Sequence, residues 1–356
     1  MRTSPLTLIA ALSLTLSSYA QEQTLAVGNG NQLKIAFGSC GYQDHPQPAL
    51  KLAAEQNPDL FIYLGDNIYG DTDDMKVLRA KYAKLAANPN FQALKSAAPI
   101  IATWDDHDFG RNDAGRHYPY KIESKEILLD FFGEPAQTQR RQRPGIYTSY
   151  TVQQAGKTLQ IIVLDTRTFR DNLKKYGGEV KRQGRYFYEL DYAAYTAEQT
   201  DSTLLGTAQW AWLEEQLRQP ADLRLIASST QFGIEFNGYE AWANFPHERE
   251  RMLDVIRRTR AEGVFFISGD VHYAELSRFD SPGLYPIYDL TSSGLSSTWH
   301  FATPNAYRLE GPIMENHFGI INIDWSQSYP TLVLEIWDVR GTRRIQRVLR
   351  ASELRF

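Results

Sequence analysis

Acidic residues, histidines and one cysteine recur at a single kind of place in this sequence, directly after a short apolar run. The run at 33–37 leads into Gly38-Ser39-Cys40, and the run at 60–64 into Gly65-Asp66. The run at 99–104 ends in Asp105-Asp106-His107-Asp108, and that at 157–164 in Asp165-Thr166-Arg167. The run at 264–268 leads into Gly269-Asp270-Val271-His272. One Asp or His after a strand is commonly a turn residue or a helix cap. Five such ends in succession are hard to read as turns alone. Carboxylates and imidazoles bind first-row metal ions. Two such ions close together polarise a phosphoryl oxygen and acidify a bound water. Asp66, Asp106, Asp270 and His272 are the donors such a pair would need. Tyr69 follows Asp66 by three positions. Its phenol is a poor ligand for zinc and a good hard anion for ferric iron, or else it is an ordinary half-buried aromatic.

Cys40 is the chain's one cysteine. It cannot form an internal bridge. The count alone leaves two readings open: a buried, inert thiol, or a thiolate held by a metal.

The elements that must position these groups are strands buried on both faces, since their apolar runs are continuous. Helices are expected at 48–55, 75–87, 118–132, 208–219 and 248–261. Segments 145–153 and 157–164 read as paired strands across a turn at Ala155-Gly156. Further strands are expected near Ile287, Ile320 and Leu332. In open α/β sheets the C-terminal strand ends form the ligand-binding edge. Segment 169–203 is polar and Tyr-rich, and reads as a long surface excursion that could cover a site.

The ends and the composition bound the class. Met1-Arg2, an apolar run at 6–16 and Ser18-Tyr19-Ala20 form the three-part pattern of a secretory signal at 1–20, with cleavage after Ala20. Export to the periplasm or the extracellular space is therefore expected. The apolar run is shorter than the ~20 residues needed to span a bilayer, and no later segment is long and apolar enough. No transmembrane anchor is expected after cleavage. A formal net charge of −4 argues against specific nucleic-acid binding, which favours a basic surface. Ser39 lies in no GxSxG elbow, which argues against a serine hydrolase.

Gly65-Asp66-Asn67-Ile68-Tyr69 resembles the GDxxY motif of the calcineurin-like metallophosphoesterases. Asp105-Asp106-His107-Asp108 resembles their GNH(D/E) motif, and Gly269-Asp270-Val271-His272 their GHxH motif. Together with Ser39-Cys40 and Leu164-Asp165-Thr166-Arg167, the set resembles the alkaline phosphatase D (PhoD-like) family, over roughly 34–319. The resemblance implies an α/β (α+β) fold, a four-layer αββα sandwich of two mixed sheets flanked by helices. Residues 21–356 would form a single catalytic domain. It implies a phosphomonoesterase or phosphodiesterase that uses a metal-activated water. Small-molecule or lipid phosphoesters would be the substrates.

Carried over residue by residue, the resemblance makes Cys40, Asp66, Tyr69 and Asp270 ligands to Fe3+. Asp66 would bridge to a second site, served by Asp106 and His272 and filled by Ca2+ or another divalent ion. His107 would hydrogen-bond the phosphate or the leaving group. Arg167 would meet the phosphate or sit in a surface salt bridge. Asn67 and Asn112 are possible further ligands. The commoner family pattern has Tyr and Glu where this chain has Asn67 and Gly70. Those departures allow an alternative, a metal- or phosphoester-binding protein of the same fold with lost or altered turnover. Asp71, Asp73 and Asp74 could compensate, or could be solvated acids at a helix start. His45, His117, His247, His300 and His317 have no motif support.

Overall fold

The computed structural model describes residues 23–28, 30–177, 191–196, 198–236 and 238–356. The signal segment 1–20 and part of the 169–203 excursion lie outside the described residues. One sheet has six strands, in the order Arg343–Arg350, Thr331–Asp338, His317–Asp324, Gln32–Gly38, Leu60–Leu64 and Ile100–Thr103. The last three run parallel to one another, and the other pairings are antiparallel. All five side chains of Leu60–Leu64 are buried, because both faces of this sheet are covered. Leu33, Ile35, Ile62 and Leu64 face the second sheet. Ala36, Phe61 and Tyr63 alternate with them and pack under the helices Pro48–Glu55, Met75–Ala87, Pro89–Ala97 and Lys121–Phe131.

The second sheet has eight strands. Lys157–Val163, Leu223–Ser228, Val264–Ser268 and Ile287–Ser292 are consecutive and parallel. Thr24–Leu25 and Thr148–Gln154 extend one side, and Ala274–Phe279 and Arg308–Ile313 the other. Trp210 and Leu213 of the helix Gly206–Leu217, and Met252 and Ile256 of the helix Pro246–Thr259, join this sheet's core. The result is the expected four-layer αββα sandwich of two mixed sheets. Among the described residues no helix is long and apolar enough to cross a membrane.

The helix Pro89–Ala97 was not expected from the sequence. Asn88 accepts from the backbone N–H of Asn90 at 2.9 Å and of Phe91 at 3.4 Å, ahead of Pro at the first turn. That is an N-terminal cap the sequence does carry. Asp74 caps Met75–Ala87 in the same way, accepting from the Lys76 N–H at 2.8 Å.

The three parallel strands of the first sheet and the four consecutive parallel strands of the second end at one edge, and there the two sheets are tied together. Ser39 and Ser293 form a parallel bridge between them. The Ser39 N–H donates to the Ser292 carbonyl at 3.1 Å, and the Leu295 N–H to the Ser39 carbonyl at 3.0 Å. Gly65 carries the chain out of its strand at φ +97°, and a Cβ there would lie 2.5 Å from the Asp105 nitrogen. Gly65→Ala combines a left-handed backbone with that contact, and each strained position of this kind costs about 1–3 kcal/mol. The variant is expected to unfold at lower urea than the parent, with an unchanged dependence on denaturant.

Candidate metal centre

Cys40, Asp66, Asp270 and His272 all adopt left-handed backbone, with φ of 57°, 49°, 76° and 59°. Few non-glycine residues do, and such strain collects at functional sites. Cys40, Asp66 and Asp270 come two residues after their strands and His272 two before the strand Ala274–Phe279, and main-chain bonds across the edge fix Cys40, Asp66 and His272. The Gly41 N–H donates to the Asp66 carbonyl at 2.8 Å, and the Ser296 and Ser297 N–H groups both donate to the Cys40 carbonyl at 3.1 Å. The Trp299 N–H donates to the His272 carbonyl at 3.0 Å.

The side chains of these turns meet. Donor atoms of Cys40, Asp66 and His272 lie within 4.8 Å of one another. The same holds for Asp66, Asp106 and His107, for Asp105, Asp106 and Asp270, and for Asp106, Asp113 and Glu240. Cys40 Sγ is 3.3 Å from Asp66 Oδ2. The Tyr69 ring packs 4.2 Å from that of His107 and 6.4 Å from that of His272. Asp66 Oδ1, Asn67 Oδ1 and the Tyr69 hydroxyl are buried without a hydrogen-bond partner among the described residues. Buried polar atoms are normally satisfied. Orphaned oxygens beside a thiol and an imidazole fit a cation. His272 Nδ1 faces the Ser297 carbonyl at 3.0 Å, so Nδ1 carries the proton and Nε2 is left as the donor to a metal.

Electrostatics point the same way. Loss of solvent, reinforced by neighbouring acids, pushes the carboxyls of Asp66 and Asp270 well up. Burial and the Asp66 charge do the same to the Cys40 thiol. Burial, then Cys40 and Asp66, raise the Tyr69 phenol. Burial holds His272 down at about 4, in its neutral ligand form. Asp106 departs from this pattern. Burial opposes its charge, yet His107 and Arg167 hold it at about 2. Against its own burial, His107 is lifted to about 10 by Asp106, Asp66 and Asp71.

Most expected site residues therefore converge. Asp66, Asp106, His107, Asp270 and His272 line one cleft, with Asn112 beside them. Cys40 and Tyr69 lie beneath it, 0% and 8% exposed. Arg167 does not line it. Its guanidinium is fully buried, paired with Asp105 and, at 2.6 Å, with Glu240. The expectation was phosphate contact or a surface pair, and the geometry is instead that of a buried salt bridge. Asn67 also points inward, donating to the Thr103 carbonyl at 2.8 Å and to Asp108.

The acids after Tyr69 divide. Asp74 is a helix cap and Asp73 pairs with Arg111. Asp71 instead reaches His107 Nδ1 at 2.8 Å. Gly70 leaves no room for a side chain, since a Cβ would lie 2.5 Å from Leu78 and 2.6 Å from the His107 carbonyl oxygen.

The sequence reading missed Asp113, Tyr192 and Glu240 on the cleft wall, and Ser293 and His317 beneath it. Asp113 could have been found as the neighbour of Asn112. Tyr192 comes from the 169–203 excursion, and its hydroxyl donates to Asp113 at 2.5 Å. Glu240 sits in a loop with no motif.

The raised Cys40 thiol and Tyr69 phenol are protonated near pH 7 when no cation is bound, and ligation requires them deprotonated. Binding of a metal ion should release protons, and affinity should fall as pH falls. Titration calorimetry in two buffers of different ionisation enthalpy measures both. A binding heat independent of the buffer would exclude this.

A sequence model of the PhoD-like phosphatase family matches residues 35–310. Alkaline phosphatase D of Bacillus subtilis (strain 168) is 24% identical over 300 residues, covering 72% of this chain and 49% of that protein. The chain thus spans about half the length of that curated relative. Among solved structures, that of PhoD aligns with a TM-score of 0.67 at 18% identity, covering 92% of this chain and 72% of that one. GAP50, the anchor in the inner membrane complex of Plasmodium, aligns with a TM-score of 0.54 at 12% identity, covering 90% and 89%. The last two likenesses concern the fold alone. The match of the family model, across more than three-quarters of the chain and every strand end of the cleft, establishes that this chain belongs to the PhoD-like phosphatase family.

Proposed function

We propose that this chain is an exported, metal-dependent phosphoester hydrolase acting on small-molecule or lipid phosphomonoesters or phosphodiesters. The observation that carries the reading is the group of orphaned, buried donors under an open cleft: Asp66 Oδ1 and the Tyr69 hydroxyl, beside Cys40 Sγ. Cys40, Asp66, Tyr69 and Asp270 would hold Fe3+, the thiolate and phenolate favouring a ferric ion. Asp106 and His272, with Asp66 shared, would hold Ca2+ or another divalent ion. Asn112 stands at the cleft as a further candidate. When bound, the ions supply a polarised phosphoryl oxygen and an acidified water.

The chain's own residues supply the rest. His107 faces the cleft, and its Nδ1 lies 2.8 Å from Asp71, a carboxylate outside the proposed ligand set that favours the protonated ring. An imidazolium there can hydrogen-bond a phosphate oxygen or give its proton to a leaving oxygen. Arg167 is a positioning residue. It ties the loop after Ile100–Thr103, through Asp105, to the segment carrying Glu240. Tyr192 and Asp191 bring the 169–203 excursion to the cleft, where it bears on substrate choice. The reading with lost turnover loses support at Gly70, because Asp71 places a carboxylate on His107 in spite of that departure.

Metal-loaded protein should hydrolyse nitrophenyl phosphate mono- or diesters and lose activity with chelator. His107→Ala should lower kcat by roughly 10²–10⁴-fold, the usual worth of a general acid. Full activity of metal-free protein would exclude the mechanism. An iron-loaded sample should be coloured by phenolate-to-iron charge transfer. A Tyr69→Phe variant that keeps its colour would remove Tyr69 from the ligand set.

A further inference from the structure

Ser293 follows the strand Ile287–Ser292 and forms the bridge to Ser39 that joins the two sheets. Its Oγ lies 3.1 Å from Cys40 Sγ. The backbone N–H of His272 donates to the same Oγ at 2.9 Å. These are the hydrogen-bond partners of Ser293 Oγ among the described residues. A hydroxyl has one proton to give and two lone pairs to receive. One lone pair takes the His272 amide, and a thiolate has no proton to give, so against ionised Cys40 the hydroxyl is the donor. The thiol's own proton has a separate destination, Asp66 Oδ2 at 3.3 Å. When that proton leaves, the Ser293 donor stays in place against a thiolate, and a hydrogen bond to a charged acceptor is the stronger kind.

The geometry of Ser293 is held from behind by a histidine that no motif had marked. The Ser293 N–H donates to His317 Nε2 at 3.0 Å. His317 Nδ1 faces the Glu315 carbonyl at 2.7 Å. A carbonyl can only accept, so Nδ1 carries the proton, and both ring nitrogens are spent. His317 is fully buried. Gly294 makes room for it, since a Cβ there would lie 2.5 Å from His317 Cε1.

We infer that Ser293, braced by His317, is a positioning residue that donates a hydrogen bond to the Cys40 thiolate and restrains its electron donation to the bound cation. The inference rests on the reading of Cys40 as a metal ligand. Hydrogen bonds to a ligating sulfur stabilise its lone pairs, one of the ways a protein tunes a metal site. Ser293 touches the ligand and not the substrate, so its effect is electronic.

The test is the ultraviolet spectrum of protein loaded with cobalt(II), whose thiolate complexes absorb by sulfur-to-metal charge transfer. The parent should show this band and Cys40→Ala should lose it. Ser293→Ala should move it to longer wavelength, because the sulfur lone pairs rise in energy without the donor. Ser293→Thr, which keeps the hydroxyl, should leave it in place. Ser293→Gly carries the same test if Ser293→Ala does not fold, with circular dichroism and cobalt stoichiometry checked for each. A band unmoved in the variants lacking the hydroxyl, at full stoichiometry, overturns the role of Ser293. A band retained in Cys40→Ala overturns the ligand role of Cys40, and the inference with it.

Discussion

Too many acids are buried together at one sheet edge for all of them to be charged unaided. Asp66, Asp105, Asp106 and Asp108 are each at most 4% exposed, and Asp270 sits with Asp105 and Asp106. Charges taken out of water are costly unless opposite charge and hydrogen bonds compensate them. The protein supplies part of the compensation. Arg167 serves Asp105 and Glu240, Arg170 serves Glu240 as well, and His107 serves Asp106. Asp66, Asp270, Cys40 and Tyr69 are left with raised proton affinities. That remainder is a site made for cations, since a bound cation inverts the local logic and favours the ionised form of each group.

The scaffold is arranged to tolerate this. The central parallel strands of the two sheets end at the same edge, and the Ser39–Ser293 bridge closes the gap between the sheets. Four left-handed residues stand next to that bridge or to the strand ends. Backbone strain of this kind persists only where surrounding structure over-determines it. Here the surrounding structure is a core of apolar side chains between the sheets, including Ile35, Ile62, Ile161 and Ile267. Stability from that core is what lets the edge hold strained turns and unsatisfied donors.

Local signals in the sequence were strong where the physics is local. Leu60–Leu64 and Val264–Ser268 are continuous apolar runs with both faces covered, and their bounds agree with expectation. Pro48–Glu55 and Met75–Ala87 also agree, the second through its Asp74 cap. Arg308–Ile313 and Arg343–Arg350 were not seen, because their alternating polar residues lie in edge strands half open to solvent. Of the cleft, Cys40, Asp66, Tyr69, Asp106, His107, Asp270 and His272 were legible, since each follows a strand. Glu240, Tyr192 and His317 were not, because they arrive from loops or from an antiparallel strand with no fixed spacing to the others.

By itself the sequence determined the buried parallel strands, which residues leave their ends, and, through motif order, the family. It could do so because burial patterns and turn residues act over a few positions. Only the tertiary structure decided what those residues face. It turned Arg167 inward to Asp105 and Glu240, drew Asp71 from the helix start to His107, and set Ser293 and His317 behind Cys40. Each of these choices is a contact between segments far apart in the chain. The packing of two sheets against each other is what brings them together.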